Sequence, residues 1–241
     1  MKMINRLKNL KFEDLILYED NDFLAINKPP SLSTLADRSS KRNVLDLAKV
    51  HWSEIKVCHR LDKETSGVLM LSKNLESYKY FSKLLENREV SKVYHALIAG
   101  RHEIDEEINW PLTSSSNRTF VDPANGKKSW TFVKTLYIYH SHTLLACMPV
   151  TGRMHQIRVH LANGGHPICG DQLYGGTPIF LSDFKKKYKI GKYEEEKPLM
   201  PRLALHAESL AFVDRNDQEI KVQAPHPKDF EVTLKQLAKN M

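Results

Sequence analysis

The chain has 241 residues, 41% of them hydrophobic, which is enough to build a sizeable core and argues against wholesale disorder. Its 36 Lys and Arg exceed its 29 Asp and Glu, a formal charge of +7 that suits either a polyanionic partner, most often nucleic acid, or only a soluble basic surface. The longest apolar run, Leu144 to Val150, is seven residues, whereas a membrane helix needs about 20; this argues against a membrane protein.

The first twenty residues mix Lys2, Arg6, Lys8 and Lys11 with scattered apolar side chains, so no secretory leader is expected. Leu15 to Glu19 and Asp22 to Asn27 read as short strands joined by the turn Glu19-Asp20-Asn21-Asp22. Lys28-Pro29-Pro30 ends the second, because proline removes a ladder donor. Ser31 to Arg42 is polar and reads as loop, and Val44 to Val50 as a short helix. Gly67 to Ser72 is a strand candidate buried on both faces. Asn74 is placed as a helix N-cap, and Leu75, Tyr78, Phe81, Leu84 and Leu85 recur at helical spacing over 75–87.

Lys92 to Ala99 reads as a strand, and Trp130 to Tyr139 with Thr143 to Val150 as a hairpin. A helix is expected over Met154 to Ala162, closed by Asn163-Gly164-Gly165. Ala204 to Val213 and Glu219 to Gln223 are expected strands around Asp214-Arg215-Asn216-Asp217, and Lys228 to Lys239 is a terminal helix after Pro227. Strands with hairpin connections outnumber helices, so an α+β domain on a mostly antiparallel sheet is expected. One catalytic domain over 1–241 is expected, interrupted by a charged insertion at about 181–202. That stretch carries Lys185, Lys186, Lys187, Lys189 and Lys192, then Glu194, Glu195 and Glu196, and is either a solvated loop or a phosphate contact. Cys58, Cys147 and Cys169 are an odd, widely spaced trio, which suggests a reduced, cytoplasmic protein without a disulfide framework or cysteine zinc site.

Three segments are dense in chemically useful side chains. The first is His59-Arg60-Leu61-Asp62-Lys63-Glu64-Thr65-Ser66-Gly67, leading straight into a buried strand. A carboxylate at such a strand entrance can act as nucleophile or base, although Asp, Thr, Ser and Gly also make ordinary turns. The second is Thr151-Gly152-Arg153-Met154-His155-Gln156-Ile157-Arg158-Val159-His160. Arginines at a helix start suit an anion. His155 and His160 are five apart, whereas the zinc helix motif needs four, so no metal is expected. The third, Gly164 to Gly176, has five glycines in thirteen residues and fits neither a Walker loop nor a dinucleotide fingerprint.

Together these segments resemble the RluA branch of the RluA/RsuA pseudouridine synthases. HRLDKETSG matches that family's HRLD-x-x-TSG motif. TGRMHQIRVHLANGGHPICGDQLYGG matches TGR-x-HQIR-x-H followed by GHP-x-x-GD-x-x-YG. INKPP at 26–30, SKVYHALIAG at 91–100 and RLALHA at 202–207 resemble further family elements in the same order, so the likeness spans about residues 15–225. The resemblance implies a pseudouridine synthase catalytic fold: a long, mixed, mostly antiparallel twisted sheet with flanking helices.

It also implies roles. Asp62 falls at the catalytic aspartate, Tyr94 at the aromatic residue that stacks on the flipped uracil, and Arg158 at the arginine that pairs with the aspartate. Arg60 matches the arginine that enters the RNA helix where the target base leaves. His59, Thr65, Lys28, Arg153, His155 and Gln156 are expected to bind substrate. Isomerisation of uridine adds no atom, so no cofactor is expected. The implied partner is ribosomal or transfer RNA, with no membrane, no obligatory protein partner and a monomeric state. Few residues precede the first strand, so the small RNA-binding domain found at the front of many relatives is not expected. Two other readings compete. A catalytically silent RNA-binding module would not need Asp62, Tyr94 and Arg158 together. A glycoside hydrolase needs a second facing carboxylate, which the second segment does not supply.

Overall fold

The computed structural model describes residues 10–36, 42–185, 188 and 195–240. They form two compact units: residues up to Ser91 with Ala207–Pro225, and Lys92–His206 with the segment from His226 onward. Each unit is therefore assembled from separated stretches of chain.

In the first unit, β1 (Ile16–Glu19) and β2 (Phe23–Lys28) form the expected hairpin, and β2 pairs antiparallel with β4 (Ser66–Ser72). The order β1-β2-β4-β11 continues into β11 (Leu205–Val213), whose residues from Ala207 belong to this unit. The two-residue β3 (Lys56–Val57) pairs with β4, and β12 (Glu219–Gln223) with β11. Every residue of β4 is buried, as its unbroken apolar run predicts. Helix α1 (Val44–Lys49) starts at Asn43 and α2 (Leu75–Asn87) at Asn74. Each Asn side chain accepts a backbone N–H three residues on, at 3.0 and 2.8 Å. The amphipathic α2 presses Phe81 onto Phe23 and Phe212, with ring centroids 5.9 and 5.0 Å from Phe81. Burying a ring of that size contributes about 2–3 kcal/mol, so this trio anchors the helix to the sheet.

In the second unit β11 leads to β5 (Ser91–Ala99), β10 (His142–Pro149), β9 (Thr131–Ile138) and β6 (Asp105–Ile108) in that order. The pairs β5–β10, β10–β9 and β9–β6 are antiparallel. A separate hairpin, β7 (Leu112–Ser115) with β8 (Arg118–Val121), stands apart from this order. Helix α3 (Gln156–Asn163) and α4 (Lys228–Lys239) complete the unit, and Phe230 and Leu237 of α4 sit in its core. The architecture is α+β, mostly antiparallel and flanked by helices, as expected.

The sequence places the start of α3 at Met154; the structure starts it at Gln156. His155 adopts a left-handed conformation (φ 54°), which ends the preceding turn and delays the first helical residue. Strands β3, β6, β7 and β8 are additions to the sequence reading. Of the charged insertion, Lys186, Lys187, Lys189, Lys192 and Glu194 lie outside the described residues. Its two ends meet: Leu199 N–H donates to Ile179 O at 2.8 Å, and Ile179 and Met200 are buried.

Candidate active site

The predicted residues fall into two groups, one in each unit. In the first, Asp62 is half-buried in the loop between β3 and β4. Neighbouring backbone holds that loop on both sides. Thr34 Oγ1 donates to Leu61 O at 2.9 Å and accepts Leu61 N–H at 3.2 Å. Ser31 N–H donates to Lys63 O at 2.9 Å, and Asp62 O accepts Thr65 N–H at 3.1 Å. Met70 N–H donates to His59 Nε2 at 3.1 Å, which fixes that ring against β4. Arg60 is exposed, one residue from the buried Leu61. Thr65 Oγ1 is buried without a hydrogen-bond partner among the described residues, an arrangement that costs about 1–3 kcal/mol.

Lys28 is fully buried, and its ammonium donates to the carbonyls of Pro29, Leu32 and Lys63 at 3.0, 2.9 and 3.1 Å. The last of these is the residue after Asp62. Lys28 therefore braces the aspartate loop from beneath, where the sequence reading placed it on a substrate-binding wall.

Gly67 follows this loop with φ +112°, and a Cβ there would lie 2.1 Å from Ala207 O. Only glycine allows β4 to approach β11 so closely.

In the second unit Arg158 projects from α3 into a bidentate pair with Asp171, Nε to Oδ2 at 2.7 Å and Nη2 to Oδ1 at 2.8 Å. Asp171 is almost completely buried. The guanidinium also lies 5.0 Å from the centre of the Tyr174 ring. The Tyr174 hydroxyl accepts Thr119 N–H at 2.9 Å and shares a hydrogen bond with His155 Nδ1, also at 2.9 Å. Burial pushes the Tyr174 phenol up, so it stays protonated at neutral pH. Asp171 O in turn accepts the N–H groups of Tyr174 and Gly176 at 3.2 and 2.8 Å, which folds the third sequence segment into a tight turn behind Arg158. Gly170, φ +74°, lets that turn pass the carbonyl of Arg202.

Asp171 and Tyr174 are the partners of Arg158 that the residue-by-residue reading passed over. Their signal lay in the GD-x-x-YG pattern, where they are the side chains able to engage an arginine. Asp171→Asn is expected to cost about 2 kcal/mol, because a charge-assisted pair to a largely buried guanidinium is weakened. Urea unfolding checks this, and a loss below about 0.5 kcal/mol would show that the pair is energetically idle.

Gln156 faces inward. Its Oε1 accepts from Thr151 Oγ1 at 2.7 Å and Arg153 N–H at 3.0 Å, and its Nε2 donates to Trp130 O at 2.8 Å and Thr131 Oγ1 at 3.0 Å. A primary amide has about that many bonds to give. Like Lys28, Gln156 is thus a brace for the loop that bears its neighbours. Arg153 is exposed beside Lys128 O. Tyr94 is half-buried on β5, opposite Cys147 on β10, and packs on the unit's core.

The next turn of α3 adds His160, fully buried, with Nδ1 3.0 Å from Thr131 Oγ1 and Nε2 3.0 Å from Trp110 O. Burial lowers its pKa against the smaller raising effect of the Trp110 carbonyl, and burial likewise lowers those of His142 and His166. The folded pKa values lie below the unfolded value of 6.5, so this stability is complete above pH 6.5. As pH falls below that, the unfolded chain takes up protons that the folded chain resists, and stability declines. The melting temperature is therefore expected to fall between pH 7.5 and 5.5, less steeply in His160→Gln. Parallel profiles for the two proteins would contradict this. The thiols of Cys58, Cys147 and Cys169 are free and buried, each pushed up to about 12 by burial, and are inert as nucleophiles at neutral pH.

A braced aspartate at the mouth of a buried strand and an arginine locked by a second carboxylate accompany a fold with clear relatives. The human structure described as RNA pseudouridylate synthase domain containing 4 superposes with a TM-score of 0.72, covering 99% of this chain and 98% of that one at 23% identity. The fold is therefore that of the pseudouridine synthases. The family model for RNA pseudouridylate synthase matches residues 22–163. Among curated relatives, ribosomal large subunit pseudouridine synthase D of Buchnera aphidicola subsp. Acyrthosiphon pisum is 33% identical over 231 residues, which is 91% of this chain and 72% of the relative. Synthase C of Buchnera aphidicola subsp. Baizongia pistaciae is 33% identical over 246 aligned positions, covering 97% and 74%. Synthase C of Vibrio vulnificus is 30% identical, covering 95% and 71%. This chain belongs to the RNA pseudouridylate synthase family, in its RluA branch. It is an isomerase that converts uridine in RNA to pseudouridine.

Proposed function

We propose that the substrate is ribosomal large-subunit RNA and that Asp62 carries the reaction. The names of the curated relatives support the substrate. One observation carries the role of Asp62: its loop is held by Lys28, Ser31 and Thr34 at the entrance to the wholly buried β4, within the HRLDKETSG motif. So many backbone anchors on one short loop suit a side chain that must meet its target in a single geometry.

The chemistry is a rearrangement. The N1–C1′ bond breaks, the uracil turns, a C5–C1′ bond forms, and the C5 hydrogen leaves as a proton while N1 regains one. Asp62 attacks or deprotonates the ribosyl part and stabilises positive charge developing at C1′. The family resemblance assigns Arg158 the part of favouring the ionised form of the catalytic aspartate. The target base is flipped out at a cost of a few kcal/mol. Stacking on Tyr94 returns about 1–3 kcal/mol. Arg60 enters the stack the base has left, and Arg153 and His155 contact the RNA backbone. The chain works as one catalytic domain and as a monomer, without a cofactor. Its three buried thiols support a reducing, cytoplasmic setting, and no described helix is long and apolar enough to cross a membrane.

The test is tritium release. RNA labelled at uridine C5 is taken from cells lacking this protein, separated into ribosomal and transfer fractions, and incubated with the purified chain. Release from the large-subunit fraction is expected. Release from the transfer fraction alone would reassign the substrate.

A further inference from the structure

Lys92 and Tyr94 are two residues apart on β5 and therefore leave the same face of the strand, about 7 Å from one another along it. Lys92 is half-buried, and among the described residues its side chain makes no hydrogen bond or ion pair. Lysines elsewhere in the chain are treated differently: Lys28 is enclosed by three carbonyls, and Lys73 reaches Glu19 at 2.6 Å. Burial alone, with no neighbouring charge to offset it, holds the Lys92 ammonium below the usual lysine range. A desolvated cation without a counter-charge destabilises the free protein, and an arriving anion removes that penalty. The anion that this family brings is the RNA backbone, and a phosphate flanks every nucleotide at about the spacing of these two side chains.

We propose that Lys92 is a phosphate-binding residue, gripping the backbone next to the nucleotide whose base rests on Tyr94. This rests on the reading of Tyr94 as the stacking platform. In the free protein Lys92 waits uncompensated, and RNA completes it. The residue contributes to grip, and no proton transfer is assigned to it.

The experiment compares wild type, Lys92→Met and Lys92→Arg in binding a fluorescein-labelled RNA stem-loop with uridines in its loop, across a salt series. Turnover is measured by tritium release at saturating large-subunit RNA. Lys92→Met is expected to weaken binding about tenfold and to flatten the plot of log affinity against log salt by about 0.7–0.9, the share of one phosphate contact. Its turnover at saturation should stay within about threefold of wild type, and its melting temperature should equal or exceed wild type, because an unpaired charge has been removed. Lys92→Arg should keep the wild-type slope. An unchanged slope in Lys92→Met overturns the proposal, and so does a collapse of saturated turnover with binding intact, which would make Lys92 part of the chemistry. If Lys92→Met fails to fold, Lys92→Gln reads the same slope. Tyr94→Ala separates the two ideas. If it leaves binding and turnover untouched while Lys92→Met flattens the slope, the platform reading fails and the phosphate contact stands.

Discussion

Replacing Asp62 by Asn is expected to lower turnover by about 10⁴-fold or more while RNA binding stays within about threefold of wild type. The substitution preserves shape and the local fold. The Asp62 carbonyl that accepts Thr65 N–H belongs to the main chain, as do the carbonyls of Leu61 and Lys63 that anchor the loop. The substitution removes the negative charge and the nucleophilic oxygen. A neutral amide can neither bond to the ribosyl carbon nor balance positive charge at it. The loss should appear in tritium release at saturating RNA, with binding followed separately by fluorescence anisotropy. Turnover within about a hundredfold of wild type would remove Asp62 from the chemistry and leave it a turn residue.

The largest stability effect is expected at Gly67. A methyl group there meets Ala207 O at 2.1 Å and the Ala207 carbonyl carbon and nitrogen at 2.7 Å, all backbone atoms that cannot swing aside. The φ of +112° is itself strained for any residue with a Cβ. Gly67→Ala should therefore lose about 4 kcal/mol or more. For a chain of this size that lowers the melting temperature by roughly 8–16 °C. A shift under about 2 °C would mean that β4 and β11 separate without cost.

Much of the fold is written in local pattern. The continuous apolar run of β4 and the helical spacing of α2 led to those elements directly, as did Asn74 for the start of α2. What escaped was structure made by partners. β6 is Asp-Glu-Glu-Ile, with no alternation to announce it, and is a strand because β9 lies beside it. The β7–β8 hairpin is largely polar and exposed, and β3 is only two residues long. The candidate site divides in the same way. The family motifs brought Asp62, Arg60, Tyr94 and Arg158 to notice. They could not say that Lys28 and Gln156 turn inward, because a motif records which residues are present and not where their polar atoms point. The bracing of Arg158 by Asp171 was equally hidden, since thirteen residues separate the pair.

The way each unit is stitched from distant stretches has a consequence for synthesis. β4 is complete at Ser72, but its neighbour β11 begins only at Leu205, about 130 residues later. At the pace of translation that interval lasts roughly 7–25 seconds. Throughout it, a nascent chain carries Val68 and Leu69 in a strand whose second edge is covered only at its far end, where β3 pairs with Leu71 and Ser72. Such an edge invites pairing with other chains. The late arrival of β11 thus makes stalled or truncated products the species most prone to aggregate.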